Sequence, residues 1–154
     1  MRKNWIFSGM RMIALVVVFL ALRAAVSWGG GSDLIYAAYF GDLPTVQRLL
    51  TTGAAVNAKD KNGITALMAA SLGGHREVVK LLLAKGAEVN ARTEDGQSAL
   101  LYAAIRGDQK IVDMLLAKGA EINAKDKNGK IALILATRTN HPEVRQLLIE
   151  AGAR

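Results

Sequence analysis

Residues 60–91 read DKNGITALMAASLGGHREVVKLLLAKGAEVNA, and the order of residue types in this stretch dictates its local structure. Thr65 stands before a short alanine-rich run, where its hydroxyl can cap the orphan amides of a first helix. Gly73-Gly74 stops that helix. In HREVVKLLLAK, Val78, Val79, Leu82 and Leu83 fall at i, i+1, i+4 and i+5, so a second helix carries one apolar face. Lys85 complements the negative end of the helix dipole, and Gly86 supplies the left-handed residue that ends it. The stretch is therefore predicted to form helix, turn, helix and an extended polar loop.

Shifting the sequence by 33 residues on itself aligns Gly53, Gly86, Gly119 and Gly152, each followed by alanine. The same shift superposes Asn57, Asn90 and Asn123; Gly63, Gly96 and Gly129; Leu67, Leu100 and Leu133; Ala70, Ala103 and Ala136. A polar phrase, NAKDKNG, stands at 57–63 and again at 123–129, with NARTEDG at 90–96 between them. Asn62-Gly63 is expected to turn the chain at the tip of the first such loop. Two helices enclose no core by themselves, so each unit must bury its faces against the next. Arg48 replaces the apolar residue of Leu81, Met114 and Leu147, and Arg145 replaces Val46, Val79 and Val112. Polar substitutions confined to the first and last units are expected of capping repeats.

The 33-residue period and residues 60–91 together resemble the ankyrin-repeat family, over roughly residues 33–154. The match rests on Asp60, Gly63, Thr65, Leu67, Ala70, Gly74, His75, Val79, Leu82, Leu83, Gly86, Ala87 and Asn90, and is renewed in the following unit. The resemblance implies an all-α solenoid of about four stacked helix-turn-helix units with β-turn finger loops, at about 33–58, 59–91, 92–124 and 125–154. The Pro and His of the family's T-P-L-H motif are replaced by Ala66 and Met68, Ala99 and Leu101, and Ala132 and Ile134. The last unit also has Ile131 in place of the capping hydroxyl and Asn140 in place of the turn glycine, which predicts a looser final helix pair.

The remainder of the chain has a different composition. Residues 1–27 hold Arg2, Lys3, Arg11 and Arg23, no Asp or Glu, and the uncharged run MIALVVVFLAL at 12–22. A basic start, an apolar run and then small residues match a secretory signal peptide, with cleavage expected before Trp28. The run is shorter than the roughly 20 residues of a spanning helix; an uncleaved signal anchor at residues 12–22, tethering the protein to the inner membrane, is the competing expectation. Residues 28–32, Trp-Gly-Gly-Gly-Ser, are expected to form a flexible linker. The resulting destination is the bacterial periplasm or the exterior, with no membrane contact after cleavage.

The net charge of +7 belongs largely to that leader: residues 28–154 carry 16 basic against 13 acidic side chains. Lysines on the repeated loops alternate with carboxylates and lack interleaved aromatics, so no nucleic-acid partner is expected. The chain has no cysteine, which removes thiolate nucleophiles and cysteine metal ligands. Its two histidines, His75 and His141, hold equivalent places 66 residues apart and read as turn residues. Asp60, Asn62 and Gly63 imitate part of an EF-hand loop, but Ala58 and Ala69 occupy its first and last ligand positions. No phosphate-binding loop or nucleophile elbow occurs, so neither catalysis, a cofactor nor a metal is expected.

The resemblance implies binding of another protein through loop tips and the exposed face of the first helices. The variable loop positions are Lys59, Lys61, Asn62 and Ile64; Arg92, Glu94, Asp95 and Gln97; and Lys125, Lys127, Asn128 and Lys130. On the first helices they are Tyr39, Leu72, Ile105 and Arg138, with Phe40 and Arg106 beside them. The expected function is that of a monomeric, non-enzymatic adaptor; the alternative is an inhibitor or immunity-type protein that occludes one exported enzyme. The middle loop, NARTEDG, turns a positive tip into a negative one and is expected to discriminate partners electrostatically.

Overall fold

Thr65 and Ser98 each accept a hydrogen bond from the amide three residues on, Met68 N at 3.3 Å and Leu101 N at 3.4 Å. Two short helices therefore start where these hydroxyls cap them. The computed structural model describes residues 30–154, and among these the chain forms eight helices in four pairs. They are α1 (Gly30–Phe40) with α2 (Leu43–Thr51), α3 (Ala66–Gly73) with α4 (Arg76–Ala84), α5 (Ala99–Arg106) with α6 (Gln109–Ala117), and α7 (Ala132–Arg138) with α8 (Pro142–Glu150). The leader expected at residues 1–27 lies outside the described residues. No described helix is long and apolar enough to cross a membrane.

The pairs stack in two layers. First helices α3, α5 and α7 pack in series, as do second helices α2, α4, α6 and α8. Leu34, Leu67 and Leu100 are fully enclosed, and Ala70, Ala103 and Ala136 keep neighbouring first helices close. Val79, Leu82, Val112 and Leu115 are likewise buried between second helices. Each enclosed leucine or valine contributes about 1.5–3 kcal/mol relative to exposure, so the stack is held by many similar small side chains. Arg48 and Arg145, by contrast, are exposed at the two ends, which agrees with their reading as caps.

The turns inside each pair alternate in chemistry. Gly74 and Gly107 end their helices at φ +79°, and Asn140 does the same work at φ +58°, the one non-glycine positive φ among the described residues. Asp42 and Asp108 cap the next helix through Thr45 N and Ile111 N, both at 3.1 Å. His75 and His141 instead donate Nε2–H to the preceding unit, onto Tyr39 O at 2.9 Å and Ile105 O at 3.0 Å. Their rings lie over Gly41 and Gly107, where any Cβ would collide. Both histidines are thus used as ties between units.

Two expectations are corrected or refined here. The stretch expected to be a linker at 28–32 is helical from Gly30. A Cβ on Gly31 would come within 2.8 Å of the Ala58 Cβ; the glycine serves close packing rather than flexibility. Trp28 and Gly29 lie outside the described residues. In the last pair, Ile131 makes no side-chain cap and α7 has 7 residues against 8 in α3 and α5. Ile134 is exposed there, whereas its counterparts Met68 and Leu101 are enclosed.

Candidate protein-binding groove

The phrase that ends each repeat builds a finger, and its residues divide the labour. Asn57 reaches the next unit twice, donating from Nδ2 to Gly86 O at 3.3 Å and accepting Glu88 N at 2.8 Å on Oδ1. Asn90 repeats this with Gly119 O at 3.0 Å and Glu121 N at 2.9 Å, and Asn123 Oδ1 accepts Arg154 N at 2.9 Å. Asp60 then folds the tip: its Oδ1 accepts Asn62 N and Ile64 N, each at 2.8 Å. Asp126 does the same for Asn128 and Lys130, and Thr93 accepts from Gln97 N at 3.0 Å. The hydrogen bond from Lys130 N, with those from Asn128 N and Gln97, holds the Asp126 carboxyl below the usual carboxylate range.

Between the first finger and the first helices lies a cavity of about 520 Å³. The 33-residue period explains it: Tyr36 and Tyr102 are separated in the register by Ala69, so the intervening unit supplies a notch between two rings. Tyr39, Phe40, Ile64 and Leu72 complete its largely apolar wall, and Asp60 and Lys61 stand at its edge. Residues 30–154 contain four aromatic side chains, Tyr36, Tyr39, Phe40 and Tyr102, and all four line this cavity. Tyr36 exposes 62% of its surface, Tyr39 46% and Phe40 69%, with the last two rings in edge contact at 5.2 Å. Rings left in water contribute little to a core; tyrosines grouped this way are the composition of interface anchors. Burial raises the Tyr102 phenol above its ordinary value, and the carboxylates of Asp60 and Asp95 push in the same direction.

The structure brings together five of the expected binding residues: Tyr39, Phe40, Lys61, Ile64 and Leu72. Lys59 and Asn62 are exposed on the same finger, Lys59 bridging through its backbone to Thr65. The middle finger is different. Arg92 binds Glu121 Oε2 at 2.7 Å and Lys125 O at 3.1 Å, Asp95 pairs with Lys127 at 3.2 Å, and Gln97 donates to Asp126 Oδ2 at 3.1 Å. These side chains join finger to finger, so of the expected electrostatic signal only Glu94 has an exposed carboxylate without such a bond. Ile105 is half-buried, its carbonyl taken by His141. The Arg106 guanidinium lies over the Gly74 turn. Lys125, Asn128 and Arg138 are exposed, and Lys130 is half-buried, none of them in the cavity.

Tyr36, Ala69 and Tyr102 are absent from the positions expected from sequence. Writing the register as Tyr36, Ala69, Tyr102 and Leu135 would have found them, because a small residue between two large ones marks a gap. No three His, Asp or Glu side chains gather as a metal-binding group among the described residues.

A family model of ankyrin repeats, in three copies, matches residues 34–126. A search of curated proteins found no match. The matched span covers more than half of the chain; it begins within α1, takes in α2 to α6 and the first two fingers, and ends within the third finger. The chain belongs to the ankyrin-repeat family.

Proposed function

We propose that this protein is a non-enzymatic adaptor that captures one partner protein in the aromatic groove formed by α1, α3, α5 and the first finger. Ankyrin repeats generally mediate protein–protein interaction and are typically not enzymes. The observation that carries the reading is the placing of all four aromatic residues of 30–154 in one cavity, three of them exposed. A cavity of about 520 Å³ is large enough for several side chains of a docked segment. Lys61 borders the cavity, with Lys59 and Asn62 exposed on the same finger, while Arg92, Asp95 and Gln97 on the second finger tie it to the third unit.

The basic, apolar and small-residue order of residues 1–27 supports export, so the encounter is placed outside the cytoplasm, with the partner an exported or membrane-facing protein. An intact mass that retains residues 1–27 would move the proposal to the tethered form. The groove itself is tested by photo-cross-linking in cells, with the reactive residue placed at Tyr39 or, as a comparison, at Lys80 on the second-helix face. A single adduct from position 39 and none from position 80 is expected. Equal or absent adducts from both positions would refute the groove as the site.

A further inference from the structure

We propose that the segment seated in this groove presents an arginine or lysine side chain, which enters the notch over Ala69 between the rings of Tyr36 and Tyr102. This rests on the groove being the docking site. Any occupant that fills the cavity also covers Asp60, whose carboxylate stands at its edge. That carboxylate is fixed, because Oδ1 accepts two backbone amides at 2.8 Å each. Removing a fixed charge from water without a counter-charge is costly, so a purely aliphatic occupant would meet a penalty that a cationic one offsets.

The aromatic wall adds to this. Cations are attracted to the faces of tyrosine and phenylalanine rings, and four such rings line this cavity. The surroundings of the notch agree: burial first, and then the nearby carboxylates of Asp60 and Asp95, raise the Tyr102 phenol above its ordinary value. Lys61 also borders the mouth and opposes a cation. Its ammonium, though, sits on a flexible stem at an exposed loop tip and can turn into water, which the tethered Asp60 carboxylate cannot. An arginine has the better shape of the two cations, since its planar guanidinium stacks on one ring while bonding a carboxylate.

The test uses two acetylated, amidated tripeptides, Leu-Arg-Leu and Leu-citrulline-Leu, which share shape and differ in charge. Binding to the chain as purified from cells is followed by the ring and methyl NMR signals of Tyr36, Tyr102 and Ala69. The arginine peptide should bind at least tenfold more tightly, and the difference should shrink as salt is raised. Asp60→Asn keeps the Oδ1 acceptor for the finger turn but removes the charge, and should bring the arginine peptide down to the level of the citrulline peptide. Lys61→Ala should strengthen arginine binding. Equal affinities for the two peptides, an Asp60→Asn variant that still prefers arginine, or no shift with either peptide would overturn the inference. Equal affinities would leave the groove itself standing as an apolar docking site; only loss of the position-39 cross-link would remove that.

Discussion

Asn90 should be the costliest of the three finger asparagines to lose. Its Nδ2 donates to Gly119 O at 3.0 Å and its Oδ1 accepts Glu121 N at 2.9 Å, so one side chain closes both ends of a link between successive units. A net hydrogen bond contributes about 0.5–1.5 kcal/mol, and exposure of these groups lets water recover part of it, so Asn90→Ala should cost about 1–2 kcal/mol. For a domain of this size that is a fall of roughly 4–8 °C in Tm. Asn57 makes the same pair of bonds with a longer first one, 3.3 Å, and should cost slightly less. Asn123 makes a single such bond, to Arg154 N, and should cost about half as much. Calorimetric or circular-dichroism melting of the three alanine variants reads the order directly. Asn123→Ala costing as much as Asn90→Ala, or all three leaving Tm unchanged, would refute the idea that this repeated asparagine staples the stack.

Other perturbations have equally definite outcomes. Leu100→Ala, in an enclosed position, should cost about 2–5 kcal/mol by chemical denaturation. Asn140→Ala forces an ordinary side chain into a positive-φ turn and should cost about 1–2 kcal/mol, whereas Asn140→Gly should not. Asp126, with its carboxyl held low by the Lys130 and Asn128 amides, contributes stability that is present above the unfolded-state value of about 3.9 and lost as pH falls through the lower folded value. Asp126→Asn should therefore flatten the acid side of the stability–pH curve while leaving the finger turn closed.

The stack was legible from the sequence because its determinants are periodic. Thr65, Ser98, Gly74, Gly107 and Asn90 act through backbone groups at fixed offsets, so their roles repeat every 33 residues and can be read without coordinates. Arg48 and Arg145 were legible for the same reason, as breaks in an apolar register. The groove was half legible. Tyr39, Phe40 and Leu72 followed from the variable face of the first helices, but Tyr36, Ala69 and Tyr102 matter as a shape, large, small, large, rather than as residue types. The charged finger residues misled in the opposite direction. Arg92, Asp95 and Gln97 look free in a list of letters, yet each finds a partner on the neighbouring finger about one period away. Gly31 misled likewise, since glycine permits both a flexible linker and a close helix approach, and only the Ala58 Cβ, which an added Cβ would meet at 2.8 Å, distinguishes them.

The central claim is that the aromatic groove binds the partner, and its most direct test is the affinity of the cross-linked partner for Tyr36→Ala and Phe40→Ala variants. Both side chains are largely exposed, so their removal should leave Tm within about 1–2 °C of the parent. As interface anchors they should each weaken binding by about 2 kcal/mol or more, roughly thirtyfold. Affinities unchanged in both variants, at unchanged Tm, would contradict the account.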